Sequence, residues 1–315
     1  MDKKFDVLVV GELNVDLILN KIDSFPEMGK EKLADEMTLT LGSSSAIFAS
    51  NISSLGAKVS FVGKIGQDSF GDLVLDSLKK KNVNTDFIIS DKKSKTGATI
   101  VLNYDEDRAM VTHPGAMEEL TINDISSEYL SAAKHLHISS IFLQPKIKEN
   151  VLDLLVKAKK AGLTTSLDPQ WDPNEKWDID LRKLLPFIDV FLPNETEVTH
   201  LTKEPDVEKA LKLLAPFANL IVVKMGSKGS ALLRNGNISL QPAFLNEEVA
   251  DAIGAGDSFD AGFISKFVKG ESAIECQRFG NLCGALNTTA AGGTGAFSDY
   301  EKMKKIALEK FGMKI

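Results

Sequence analysis

Short apolar runs rich in β-branched residues, each stopped by Gly, Pro or Asp, recur along the chain: VLVVG from Val7, VSFVG from Val59, HLHIS from His135, TTSLDP from Thr164, VFLPN from Val190 and LIVVKMG from Leu220. Runs without polar alternation predict strands buried on both faces. Between them, helical patterns cover 45–55, 70–81, 146–161, 195–202 and 207–217. Strand and helix alternate along most of the length, which predicts a largely parallel sheet with helices on both sides. Two stretches break the rhythm. Residues 17–41 and 97–113 carry ILNKI, ATIVLNY and AMVTHPG, where apolar and polar positions alternate with no helix between. They predict a small antiparallel sheet with one dry and one wet face, fed by two separate parts of the chain and placed as a lid over a site at the edge of the main sheet. No repeat recurs at a fixed period.

Composition adds bounds. The 315 residues are 43% hydrophobic, enough for one large core or two unequal ones. A formal net charge of -7 argues against nucleic acid or anionic membrane as a partner, although a local basic pocket is compatible with it. Cys276 and Cys283 stand two helical turns apart in an Ala-rich stretch, too far for a disulfide, and read as buried thiols. The first apolar run is broken at once by Gly11, Glu12 and Asn14, so it reads as a strand and not as a signal peptide. No apolar run approaches a membrane span, and a cytoplasmic protein is the expectation.

The chemistry concentrates in NEEVADAIGAGDSFDAGFISKFVKG, 246–270. A strand-like segment ends near Asp251, Gly254, Ala255 and Gly256 follow, and a helix begins. Glycine lets a ligand approach the backbone, while the first NH groups of a helix lack internal partners and point outward with the positive end of the dipole. Such a terminus binds anions. Asp257 reads either as a cap for those NH groups or as a general base beside an anion hole, and the local sequence leaves both open. A dinucleotide site lacks its third glycine here, because Phe259 follows, and no phosphate-binding Gly-x-x-x-x-Gly-Lys-Ser/Thr loop occurs.

GAGDSFDAG resembles the C-terminal signature of the ribokinase-like (PfkB) carbohydrate kinases. Four further segments are similar to that family in the same order: GELNVDLI near the N-terminus, GSSSAIFASNISSLGAKVSFVGKIGQDSFG over 42–71, LPNETE and VKMGSKGSAL. The resemblance spans nearly the whole chain and implies a three-layer α/β/α sandwich with a mostly parallel central sheet and a small antiparallel β lid, formed by about 14–41 and 97–113, within one domain of 1–315. It implies ATP and Mg2+, with Asp257 as base and the amides of Ala255, Gly256 and Asp257 as anion hole. Asn194 and Glu197 would organise Mg2+ through water, or serve as a helix cap with its partner Glu. Lys224, Gly226, Ser227 and Gly229 would line the nucleotide, with Asn281 beside the adenine; Lys224 and Lys228 read equally as solvated charges. Asp251 and Gly293 fall where family members bind a monovalent cation such as K+. Asn14 and Asp16 would hold sugar hydroxyls, and Gly42 would allow close approach.

Departures from the family pattern bear on the substrate. Ser43 stands where a second glycine is usual, and Ile47 replaces an Asn that touches the sugar, with Ser43 to Ser45 as compensation. Asp168 ends a strand where ligands gather in open α/β folds. Arg108, in the lid stretch, reads as an exposed arginine or as a partner for a substrate carboxylate or phosphate. Trp171 and Trp177 read as loop packing or as stacking platforms, and His135 and His137 as strand residues without a role. The resulting expectation is ATP-dependent phosphorylation of a small sugar. A nucleoside kinase remains open through an apolar wall at Ile47 and Phe48, as do a non-catalytic sugar or nucleotide sensor and an oxidoreductase. An exposed apolar face on the lid would favour a homodimer.

Overall fold

A computed structural model describes residues 3–104 and 107–315. Its strands are β1 (Phe5–Val10), β2 (Asn14–Ile22), β3 (Ala34–Leu41), β4 (Val59–Gly66), β5 (Ile88–Asp91), β6 (Gly97–Tyr104), β7 (Asp107–His113), β8 (Ala133–Ser139), β9 (Thr164–Asp168), β10 (Val190–Phe191), β11 (Leu220–Lys224), β12 (Ser230–Arg234) and β13 (Asn237–Gln241). The main sheet runs β13-β12-β11-β10-β9-β8-β1-β4-β5. Every pairing from β11 to β5 is parallel, and only the β12 and β13 edge runs antiparallel. Helices cover both faces. Leu8 and Val10 join a core on one side, while Val7 and Val9 join the core on the other. Such two-sided burial is why these strands lack alternation in the sequence.

Two predicted helices end differently. The pattern over 146–161 splits into Pro145–Lys148 and Val151–Lys160, with the Asn150 side chain donating to the Lys146 carbonyl at 3.0 Å. The helix from Val207 stops at Leu214. Pro216 lacks an NH and disfavours helical geometry in the residue before it. The β12–β13 hairpin turns on Asn235-Gly236, whose positive φ values of 52° and 76° are those of a tight hairpin turn.

The small sheet is ordered β3-β2-β6-β7. Each hairpin is antiparallel, and the seam between them, β2 against β6, is parallel. Ile18, Thr99 and Val101 are buried, on the face that carries Asp16. The opposite face carries Leu17, Met37, Leu39, Ile100 and Val111, of which the last four are exposed. The exposed face is therefore the more apolar one. No helix among the described residues is long and apolar enough to cross a membrane.

Candidate active site

Glu12 follows β1, Ser139 ends β8, Asp168 ends β9, Asn194 follows β10 and Lys224 ends β11. All five therefore stand at the carboxyl edge of the parallel strands. β1 leads to β4 on one side, while β8 returns to its other side, so the chain reverses direction between β1 and β8. Ligand crevices in open α/β sheets form at such a point. Ser45 Oγ bridges it, bonding to the Glu12 carboxylate and to Ser139 Oγ at 2.8 Å.

Gly254 caps the helix Ala255–Phe267 in left-handed geometry, φ 75°, and no side chain bonds the helix terminus. Asp257 is therefore not the cap of this helix. A Cβ on Gly254 would lie 2.6 Å from Gly293 Cα, so only glycine fits. The amide of Ala255 donates to the Ala252 carbonyl at 3.3 Å and is thereby removed from the expected anion hole. Those of Gly256 and Asp257 meet no protein acceptor among the described residues. Behind the turn, Asn51 Nδ2 bonds Gly293 O at 2.8 Å and Ser258 Oγ at 2.9 Å. Ser258 then donates to Asn287 at 2.9 Å, and Asn287 donates to the Ile253 carbonyl at 2.6 Å.

Asp257 is nearly buried, and its Oδ1 accepts from Gln170 Nε2 at 2.9 Å. Burial, then the Asp168 carboxylate, push its carboxyl up to about 7, opposed by Lys224 and by the nearby Ser44 hydroxyl. Lys224 is not a solvated charge. Its Nζ sits 2.8 Å from Asp168 Oδ2 and 3.0 Å from Asp260 Oδ2, and 3.8 Å from where a Gly256 Cβ would be. Burial alone would lower its pKa, but Asp168, Asp260 and Glu197 outweigh that and hold it above the usual lysine range. Burial lifts Asp260 well above the carboxylate range, against the pull of Lys224 and with Asp168 adding to the rise.

On the opposite flank, Asn14 Nδ2 donates to Asp16 Oδ1 at 3.0 Å and Thr99 Oγ1 at 3.1 Å. A Cβ on Gly42 would fall 2.7 Å from Asn14 Nδ2, so the close approach at Gly42 is made by these two side chains. Burial pushes Asp16 up to about 6, opposed by the Asn14 amide and by Arg108. Ile47 and Phe48, the residues that left an apolar wall open, both face inward. Both are buried, Ile47 against Gly254 and Gly293, and Phe48 stacked on His137 with ring centroids 3.7 Å apart. An isoleucine has no polar group to keep at the mouth and gains by packing inward.

Asn194 and Glu197 do form a reciprocal cap on the helix Glu195–Thr202: Glu197 N donates to Asn194 Oδ1 at 2.8 Å, and Asn194 N to Glu197 Oε2 at 2.8 Å. Burial, then Asp168, push Glu197 up to about 8. An added cation would relieve that excess of buried carboxylate, so the donor set fits a hydrated Mg2+. No cluster of three or more His, Cys, Asp or Glu among the described residues could ligate a metal directly. Gly226, Ser227 and Lys228 form the turn after β11, Gly229 leaves it at φ 95°, and Lys228 pairs with Glu195 at the surface. Asn281 is nearly buried and points its amide at the Pro242 carbonyl, 3.4 Å away. Asp251 accepts from Ile253 N at 2.9 Å and Gly292 N at 2.8 Å, and Gly293 O is taken by Asn51.

Trp177 is buried and stacks on His200 with centroids 5.0 Å apart, with Trp171 edge-on, so loop packing is the observed arrangement. His135 and His137 are buried strand residues that share the Ser166 hydroxyl. Cys276 and Cys283 are free and buried. Sequence reasoning missed Gln170, Asp260, Glu12 and Asn51. Only Asp260 left a signal, three residues after Asp257 and hence on the same helix face.

The chain matches the pfkB family carbohydrate kinase profile over residues 4–299. It is 30% identical to a ribokinase of Arabidopsis thaliana, over 95% of this chain and 80% of that protein. The solved structure of Arabidopsis thaliana ribokinase with ribose and ATP superposes with a TM-score of 0.81 at 27% identity, covering 96% of this chain and 98% of that one. An Escherichia coli putative ribokinase II in complex with ATP and Mg2+ superposes with a TM-score of 0.83 at 23% identity, covering 96% and 98%.

Proposed function

The chain belongs to the PfkB family of carbohydrate kinases, and on that premise we propose that it transfers the γ-phosphoryl group of ATP to a hydroxyl of a small sugar, with Asp257 as general base. The observation that carries this reading is Asp257 itself: buried, not used as a cap, and followed by no competing partner for the Gly256 and Asp257 amides. A carboxylate pushed up to about 7 is matched to accepting a hydroxyl proton near neutrality. As the new O–P bond forms and the bond to the ADP oxygen breaks, that proton passes to Asp257 while the two amides face the charge on the phosphoryl oxygens. Mg2+, held through water near Asn194 and Glu197, would neutralise phosphate charge when bound. Asn14 and Asp16 would position the sugar, the turn Gly226 to Gly229 with Asn281 the nucleotide, and the small sheet would close over both as a lid. A monovalent cation near Asp251 and Gly293 would brace the same turn; replacing K+ by Na+ in the assay tests it through turnover.

ADP release measured across pentoses, hexoses, keto-deoxy acids and nucleosides identifies the acceptor. Asp257→Asn should lower turnover on the best acceptor by about 10²- to 10⁴-fold, with MgATP binding retained. Near-normal turnover in that variant overturns the assignment. Ile47 and Phe48, which left a nucleoside acceptor open, are both buried, and this supports a sugar over a nucleoside as the acceptor.

A further inference from the structure

Four side chains and one turn of helix close a ring with Asp257. Gln170 Nε2 donates to Asp257 Oδ1 at 2.9 Å and to Asp168 Oδ2 at 2.7 Å. Asp168 Oδ2 also binds Lys224, and Lys224 binds Asp260. Asp260 returns to Asp257 through one turn of helix. Gln170 occupies this place in a left-handed backbone, φ 60°, unusual for a residue with a side chain. Its own amide is steadied by Asp168 Oδ1 at 3.2 Å. Strain of that kind persists where surrounding contacts over-determine it.

One amide nitrogen thus spends both of its hydrogens on two buried carboxylates that would otherwise repel and rotate apart. We propose that Gln170 is a positioning residue: it fixes the rotamer of Asp257 by one oxygen, leaving the other for the substrate hydroxyl, and links the base to the Asp168–Lys224–Asp260 cluster. The inference rests on Asp257 being the base. The charged groups facing Asp257 are Asp168 and Lys224 from the strand ends, Glu12 after β1, Glu197 from the neighbouring helix and Asp260 on its own helix, with Ser44 as a neutral donor. Among these the Gln170 amide is neutral, so removing it withdraws a hydrogen bond from the charged form without changing the count of charges.

The test uses Gln170→Gly, which removes the amide and relieves the positive φ, and Gln170→Asn, which restores an amide in a residue type that tolerates left-handed geometry. With MgATP and D-ribose or D-fructose as acceptor, kcat of Gln170→Gly should fall about 10- to 100-fold, with both KM values changed by less than about threefold. The acid limb of its kcat profile should rise by about one pH unit, and Gln170→Asn should recover part of both. Carbon-13 NMR titration of the Asp257 carboxyl in the full, ligand-free chain should show the same order of midpoints. A Gln170→Gly protein with wild-type kcat and an unmoved Asp257 titration overturns the proposal. Asp257→Asn run alongside separates the two ideas: if it retains turnover, the base reading fails; if it is inactive while Gln170→Gly is normal, only the role of Gln170 fails.

Discussion

Ser43 holds a left-handed backbone, φ 71°, where the family usually has glycine, and compensates through its hydroxyl. That hydroxyl donates to the Glu12 carbonyl at 2.6 Å and accepts from Ala46 N at 2.9 Å, capping the helix Ser44–Ser54. Ser43→Ala keeps the backbone strain and loses the cap, which should destabilise by about 1–2 kcal/mol in urea unfolding. Ser43→Gly loses the cap but relieves the strain and should stay within about 0.5 kcal/mol of wild type. Serine is a capping residue type, so the cap could be read from its letter; the positive φ was marked only by the glycine usual at this position in the family and is seen directly only in the structure.

At the scale of elements, the crossing of the helices Ala255–Phe267 and Ala273–Asn287 depends on small residues at the contact. A Cβ on Gly262 would lie 2.7 Å from Cys283 Sγ and 2.9 Å from the Phe279 carbonyl oxygen. Helix propensity alone favours Gly262→Ala by about 1 kcal/mol. The overlap with backbone on the facing helix opposes it, and Gly262→Ala should lower stability by about 1–3 kcal/mol in thermal or urea unfolding. The two cysteines belong to this contact, and burial pushes both thiols above their ordinary pKa, which keeps them unreactive near neutrality. The apolar face of the small sheet points outward at the same scale. Leu39, Leu17, Ile100 and Val111 lie in one row across it, and we expect two copies to clasp through this face. Light scattering should give a dimer for the wild type, and Val111→Lys should shift it toward monomer; a wild-type monomer at micromolar concentration refutes the clasp.

Across the whole molecule, the site is held at a cost in stability that depends on pH. Asp257, pushed up to about 7, keeps its proton in the folded chain while the unfolded chain has released it near pH 4. The folded state therefore binds more protons through that window, and this contribution falls as pH rises toward 7 and beyond. Glu197 and Asp16, pushed up to about 8 and about 6, act with the same sign. Burial lowers His135 to about 3 and His137 well below its ordinary value, which acts oppositely up to about pH 6.5. The wild-type curve mixes these slopes, so the clean observable is a difference. Asp257→Asn should be more stable than wild type by an amount that grows from pH 5 to pH 8, reaching on the order of a few kcal/mol. Calorimetry of both proteins without ligand at the two pH values checks it.

The amino-acid sequence by itself determined the strands buried on both faces, the helices between them, the stretches that form the small sheet and the glycine turn before Asp257. Each of these depends on the hydrophobic period or on a local turn requirement, and such signals extend over only a few residues. The tertiary structure alone decided that Asp257 is not a cap, that Lys224 is buried between Asp168 and Asp260, that Gln170 touches Asp257, and that Ile47 turns inward. Residues 168, 170, 224 and 257 meet only because their strand ends and helix start converge at one sheet edge. A buried charge that has found its partners is written with the same letter as a solvated one.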